Sequence, residues 1–303
     1  MRSLKTVALW IATFGTVFVI SKLMIDKFSN SSDSEQKNSS IERENTIYVI
    51  TPTYGRPQQK AELTRFANTI LHVKNLHWIV VEDAPERGNM VTSFLQRLSN
   101  LASTRNKMKI THLFAETPKG FRNKAQDPSW LRPKGFNQRN EGLRWLRKNG
   151  DEIDQNGVVY FADDDNTYDI AIFDEMRDTK KVSCWPVGLV GGLLVERPIV
   201  DDDGKVVSFN SVWKPERLYP IDMASFAINV QLLLVHSNAY FTPKLARGFQ
   251  ESYILKQLIS GPEEMEPKAN MCTLVLVWHT RTAKPNLEQE AKLKVPSTVG
   301  ISL

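Results

Sequence analysis

Asp163, Asp164 and Asp165 are three adjacent carboxylates set directly after the apolar run Val158 to Ala162 and before Asn166. Neighbouring acids repel one another and persist most easily when a cation neutralises them, and ligands of parallel sheets gather at the carboxyl ends of strands. A divalent ion held there by one or two carboxylates can also bind a diphosphate. The plain alternative is a solvated turn with a helix cap. The chain supplies its own control. Asp201, Asp202 and Asp203 form a second triplet, but Gly204 and Lys205 follow it and strand-like runs flank it, so it reads as a hairpin turn.

Two other strand-like runs end in polar residues. Pro52-Thr53-Tyr54-Gly55-Arg56-Pro57 follows one, and Glu82-Asp83-Ala84-Pro85 follows the other. A Tyr54 ring can stack on a base, and an Asp83 carboxylate can accept an N–H from a uracil-like edge. Turns are rich in Pro, Gly and Asp anyway, so each segment alone also fits a bare turn. Three such ends on one sheet edge make a better case for a site.

The elements that must position them alternate. Ile47 to Thr51, His77 to Asp83, Lys109 to Phe114 and Val158 to Ala162 predict strands, while Gln58 to Val73 and Phe136 to Lys148 carry helical spacing. A further helical stretch is expected from about Tyr168. This is an α/β pattern: a mostly parallel sheet with helices on both faces. The second half mixes turn-bounded strands around Asp203-Gly204 with helices near Pro243 to Ile259, and ends in the buried-looking run from Cys272 to Trp278. No internal repeat is visible, and residues 46–303 read as one domain with two lobes.

Composition sets limits. The chain has 303 residues, 41% of them hydrophobic and 24% charged, which suits one large globular body and not a disordered chain. The net charge of +5 is spread along the length, which argues against nucleic acid as the main partner. Two cysteines, Cys184 and Cys272, exclude a disulfide-stapled scaffold and a cysteine zinc cluster, and allow at most one internal bridge.

Residues 6–25 are apolar apart from Lys22, long enough as a helix to span a membrane. No small-residue cleavage site follows, so the reading is an uncleaved anchor and not a signal peptide. Arg2 and Lys5 before it, against Lys22 and Lys27 after it, give a slight charge bias toward a cytoplasmic residue-1–5 tail. Residues 26–45 are Ser, Asn and charge, a flexible stem, and Asn30 and Asn38 in it fit the glycosylation acceptor pattern.

Taken together the motifs resemble a known family, the animal β-1,3-glucuronosyltransferases of glycosyltransferase family 43. The resemblance rests on PTYGRP, VEDAP, the R-P-K-G-x-x-x-R-N segment, FADDDNTYD, VGGLLVERP, the W-x-P-x-R-x-Y-P-x-D-M-A-x-F-A segment, GFQES and VWHTRT, in that order over about residues 46–285. It implies a Rossmann-like, nucleotide-sugar-binding fold of the GT-A type, with a donor-binding lobe over about 46–165 and an acceptor-binding lobe over 166–303. It implies transfer of glucuronic acid from UDP-glucuronate to a terminal galactose with Mn²⁺ as cofactor, by a Golgi membrane protein of type II orientation that forms a homodimer.

Residue by residue, the resemblance implies that Pro52, Thr53, Tyr54 and Asp83 hold the uridine, that Asp165 coordinates the metal, and that Asp163 and Asp164 contact the ribose and sugar side. Lys134, Arg139, His279, Thr280 and Arg281 would face the diphosphate and the glucuronate. Glu251 matches the general base, and Glu196, Trp213, Arg217 and Asp222 match acceptor contacts. Without the resemblance, Arg139 is one arginine beside Arg144 and Arg147 on a helix, Glu251 a capping residue, and Trp213 as often core. Lys134 departs from the family's more usual Arg, keeping the charge and losing the bidentate fork. The proteoglycan linkage region is the expected acceptor. N-acetyllactosamine-type glycans, another UDP-sugar, or a silent Golgi binding scaffold are the alternatives.

Overall fold

The parallel strands form where β-branched and aromatic runs predict them: β1 (Ile47–Thr53), β2 (Leu76–Glu82), β3 (Lys109–Phe114) and β4 (Val158–Phe161). They pair in the order β4-β1-β2-β3, all parallel. The structure is a computed structural model that describes residues 44–105, 108–123, 126–128 and 131–301. The apolar stretch 6–25, Asn30 and Asn38 lie outside these residues. Among the described residues no helix is long and apolar enough to cross a membrane.

β2 and β4 are buried along their whole length, and β1 everywhere but at Pro52. Such strands show no inside-outside alternation because both faces of the sheet are covered. The period of two appears as a division between two cores. Ile47, Val49, Trp78, Val80, Val158 and Tyr160 pack on one face with α1 (Gln59–Ile70) and α2 (Asn89–Arg105). Tyr48, Ile50, Ile79, Val81, Val159 and Phe161 pack on the other with α3 (Phe136–Lys148). Helix α1 meets its face through Leu63, Phe66, Ala67 and Ile70, the i, i+3, i+4, i+7 stripe of an amphipathic helix.

Helix α3 packs tightly on the sheet at Gly142. A Cβ there would stand 2.7 Å from Ile50 Cγ2 and 2.8 Å from its Cδ1. Gly142→Ala is therefore expected to destabilise by about 1–3 kcal/mol through overpacking, against roughly 1 kcal/mol gained in helix propensity. A denaturant midpoint that stays put or rises would show that Ile50 moves aside freely.

The sheet is less uniformly parallel than its first strands suggest. It continues as β11-β6-β10-β4, with β6 (Val182–Cys184), β10 (Phe226–Asn229) and β11 (Met265–Pro267). Strand β10 runs antiparallel to both β4 and β6. A second sheet, order β5-β12-β7-β8-β9, combines β5 (Thr167–Tyr168), β7 (Val187–Gly188), β8 (Val195–Val200), β9 (Val206–Asn210) and β12 (Val277–Trp278). The α/β class stands, with an antiparallel insertion and a mostly antiparallel companion sheet.

Two expected helices are corrected. The stretch from Tyr168 begins with a strand pairing, so its helix, α4, runs Ala171–Met176. The helix near Pro243 to Ile259 contracts to α6 (Gln250–Leu255), because Gly248 at φ +92° breaks the chain before it; another helix of the same length, α5, lies at Val230–Val235. The second acidic triplet is a hairpin turn, as its context predicts. Asp201 Oδ1 accepts the Lys205 N–H at 2.8 Å, and Gly204 takes φ +78° between β8 and β9.

The chain runs outward from β1 to β2 and β3, then returns to the other side of β1 as β4. That reversal opens a crevice at the carboxyl ends of β1, β2 and β4. Thr53, Asp83 and the first acidic triplet all lie at this edge.

Candidate functional site

A cleft of about 1090 Å³ opens over that edge. Its wall carries every side chain singled out from sequence as donor, acceptor, metal or catalytic residue, with the exception of Thr280. Thr280 stands behind the wall, where its hydroxyl donates to the Asp165 carbonyl at 2.9 Å.

The triplet divides into two paired acids and one unpaired. Asp164 is buried; it accepts from Thr53 Oγ1 and from Arg56 Nη2, each at 2.6 Å. Burial pushes its carboxyl up, and Arg56 works against that. Asp163 accepts from Arg139 Nη2 at 2.5 Å, and Arg139 is itself steadied by donating to the Lys134 carbonyl at 3.0 Å. Asp165 is fixed through its backbone, its carbonyl receiving Arg65 Nη2 at 2.8 Å as well as Thr280. Among the described residues no donor or cation pairs with its carboxylate. Burial, then Asp163 and Asp164, push that group up to about 6.

This is the environment a divalent cation would relieve. Among the described residues no three His, Cys, Asp or Glu side chains converge into a cage. A cation here fits the mode in which one carboxylate, substrate phosphate oxygens and water complete the shell.

Beside the triplet the wall is positive. Lys134 is held below the usual lysine range, first by burial and then by Arg247 and Arg281. His279 lies with its Nδ1 3.3 Å from Asp222 Oδ2, off the line of a good hydrogen bond but within ion-pair range. Asp222 raises the imidazole, against burial, so His279 keeps its proton to a higher pH than a free histidine. Burial pushes Asp222 itself up, but His279 and the Ala224 N–H outweigh it and hold it below the ordinary carboxylate range. Such a gathering of cations suits a diphosphate or a sugar carboxylate.

At the strand ends, Asp83 accepts from Thr117 N at 2.6 Å and from Thr117 Oγ1 at 2.8 Å, which fixes its plane. The Tyr54 ring is half exposed and has the Arg56 guanidinium 4.4 Å from its centroid. That contact supports one face of the ring.

Across the cleft stands Glu251, in the first turn of α6. Its side chain is 13% exposed, and Oε2 is buried with no hydrogen-bond partner. Arg217 Nη1 stays 3.9 Å away, too far for a hydrogen bond. Burial pushes the carboxyl up to about 7; the backbone at its own position, Arg217 and Arg139 pull the other way, and Asp222 adds to the rise. A carboxylate so placed is poised to take a proton near neutral pH.

Arg217 fastens the loops around it. It donates to the carbonyls of Gly248 at 2.6 Å, Trp213 at 2.9 Å and Lys214 at 3.1 Å. A Cβ on Gly248 would meet Trp213 Nε1 at 2.6 Å, so this close approach, as well as its positive φ, calls for glycine. Trp213 is 42% exposed and offers a flat apolar surface at the cleft. Glu196 is buried on the same wall and accepts a hydrogen bond from Ser211 Oγ.

The model described as Glycosyltransferase family 43 matches residues 66–283. The chain belongs to that family. Galactosylgalactosylxylosylprotein 3-beta-glucuronosyltransferase 1 of Homo sapiens is 51% identical over 250 residues, covering 82% of this chain and 72% of that protein. The corresponding protein sqv-8 of Caenorhabditis elegans is 47% identical over 256 residues, covering 84% and 69%. Among solved structures, the crystal structure of S. aureus TarS 1-349 aligns with a TM-score of 0.46 at 16% identity, covering 78% of this chain and 60% of that one. The mannosyltransferase PcManGT of Pyrobaculum calidifontis, solved with GDP-Man and Mn2+, gives 0.44 at 15% identity, covering 94% and 70%. Likeness at that level carries no argument about this site.

Family membership agrees with the resemblance carried by the motifs. Of the cleft residues that sequence did not single out, Arg56, Arg247 and Thr117 bear most directly on the site. Arg56 lies inside the PTYGRP motif, Arg247 directly precedes GFQES, and Thr117 orders Asp83. For the two arginines the signal was a cation adjoining a motif already in hand.

Proposed function

We propose that the protein transfers glucuronic acid from UDP-glucuronate to the 3-hydroxyl of a terminal galactose, with inversion, in the linkage region of proteoglycans. The observation that carries this reading is Glu251: a buried carboxylate oxygen without a partner, facing an acidic triplet and a bank of cations across one cleft. The names of the relatives, which specify galactosylgalactosylxylosylprotein as acceptor, support the choice of sugar and substrate.

Each group has a chemical task. Asp83 and Tyr54 hold the uracil edge and face, and Lys134, Arg139, Arg247, Arg281 and His279 surround the diphosphate and the glucuronate carboxylate. Glu251 Oε2 takes the proton from the acceptor hydroxyl as its oxygen attacks the anomeric carbon from the face opposite UDP. The bond to UDP breaks, and the electron pair leaves with the diphosphate toward the cationic wall. Trp213 supports the apolar face of the galactose, while Glu196 and Asp222 accept from its hydroxyls. Asp165 would hold Mn²⁺, whose charge would offset that of the diphosphate.

The apolar stretch 6–25 and the sequons at Asn30 and Asn38 support a type II Golgi membrane protein with its body in the lumen. The homodimer rests on family resemblance.

The test is UDP release by the full chain in detergent, offered UDP-glucuronate with galactosyl-β-1,3-galactose or N-acetyllactosamine. Turnover is expected with the first acceptor and only with Mn²⁺ present. No release with any galactoside, or equal release from UDP-xylose or UDP-galactose, overturns the reading.

A further inference from the structure

Outside the cleft, the two cysteines are the buried reactive groups that the proposed chemistry leaves unused. Cys184 ends β6 and Cys272 ends the turn after β11; both are thiols with no exposed surface, in one core cluster. Strand β11 pairs with β6 so that Pro267 sits opposite Cys184, and the chain then bends back. The Cys184 carbonyl accepts the Lys268 N–H at 2.9 Å and the Cys272 Sγ at 3.5 Å. Cys184 draws the Cys272 thiol down, while burial and then Cys272 push the Cys184 thiol up.

The turn that delivers Cys272 is unusual. Ala269, Asn270, Met271 and Cys272 all have φ between +53° and +59°, four consecutive L-residues in the left-handed region. Each costs free energy unless its surroundings hold it there. Glu175 accepts the Ala269 N–H at 2.8 Å, and Arg197 Nη1 reaches the Cys272 carbonyl at 3.4 Å. Five residues on, β12 begins and leads to His279 in the cleft.

We propose that Cys184 and Cys272 close an intramolecular disulfide that clamps this left-handed turn to β6. The inference rests on the lumenal reading above, since such bonds persist in oxidising compartments. The electrons go to a thiol–disulfide oxidant such as oxidised glutathione. One cysteine thiolate displaces a glutathione thiolate to form a mixed disulfide; the other cysteine then displaces the second, leaving one protein disulfide and two glutathione thiols. Because both sulfurs are sealed in the folded core, the exchange takes place during folding.

The experiment makes the full chain in two ways, in the secretory pathway of animal cells and by cell-free translation in an oxidising glutathione buffer. Chains are denatured without reductant, free thiols are counted with a maleimide, and peptides are mapped by mass. Loss of mass on glycan removal reports passage through the lumen independently. The expected result is no free thiol, a cross-linked Cys184–Cys272 peptide pair, and two thiols after reduction. Reduction, or Cys184→Val, is expected to lower the melting temperature by about 5–15 °C. Two free thiols in the glutathione-buffered chain overturn the disulfide, whatever the compartment. A disulfide there, with free thiols and no glycan in cells, upholds the pairing and overturns the lumenal reading instead. UDP release, assayed separately, reports on the transferase reading.

Discussion

Glu251→Gln is expected to lower kcat for glucuronate transfer by about 10²–10⁴-fold, the usual contribution of a positioned general base. Glutamine keeps the shape and cannot accept the proton. The Michaelis constant for UDP-glucuronate should change little, because the donor is held by the opposite wall. In the parent enzyme, kcat/KM should rise with pH through about 7, where burial has moved the Glu251 carboxyl. That limb should vanish in the variant.

Stability follows the reverse sign. A carboxyl raised above its unfolded value favours folding while it is protonated, and that contribution is lost as pH rises through about 7. The parent protein should therefore lose more thermal stability than the variant between pH 5 and pH 8. Full activity in Glu251→Gln, or a parent profile flat through neutrality, would remove Glu251 from the chemistry.

Asp165→Asn is expected to cost about 10³-fold or more in kcat/KM, since a metal's stabilisation of a leaving phosphate amounts to several kcal/mol. The variant should fold, because no side chain is paired with this carboxylate among the described residues. UDP should still protect it against thermal unfolding, but the added protection from Mn²⁺ should disappear. Asp164→Asn makes the contrast. It takes a charge from a buried pair with Arg56, and breaking such a pair costs about 3–5 kcal/mol, so a lowered melting temperature is expected. If Mn²⁺ protects the Asp165→Asn variant as well as the parent, the metal is held elsewhere.

How far these features could be read in advance depended on how local they were. Strands β1, β2 and β4 were legible because being buried on both faces leaves continuous apolar runs, the partly exposed β3 through its Ile110, Thr111 and Phe114, and α3 because its buried residues recur at helical spacing. Strand β10 was not. Phe226-Ala-Ile-Asn229 is four residues long, and its place between β4 and β6 depends on partners more than forty residues away. The run Cys272 to Trp278 looked like a buried strand, yet the left-handed turn leaves Leu274 half exposed and only Val277 and Trp278 in the ladder. In the site, the two acidic triplets were separable by their C-terminal neighbours, Asn166 in one case and Gly204 in the other. The division of labour within the first was not, because Arg56 reaches Asp164 across 108 positions of sequence.

The antiparallel placement of β10 has a consequence for synthesis. Until residue 229 has left the ribosome, the inner edge of β4 has no neighbour, and the nascent chain presents unpaired amides beside its nucleotide crevice. A fragment stopped after the acidic triplet would keep that open flank permanently. Pulse-labelled nascent chains should thus resist protease only once β10 and the strands beyond it have emerged, well after the crevice-forming strands were made.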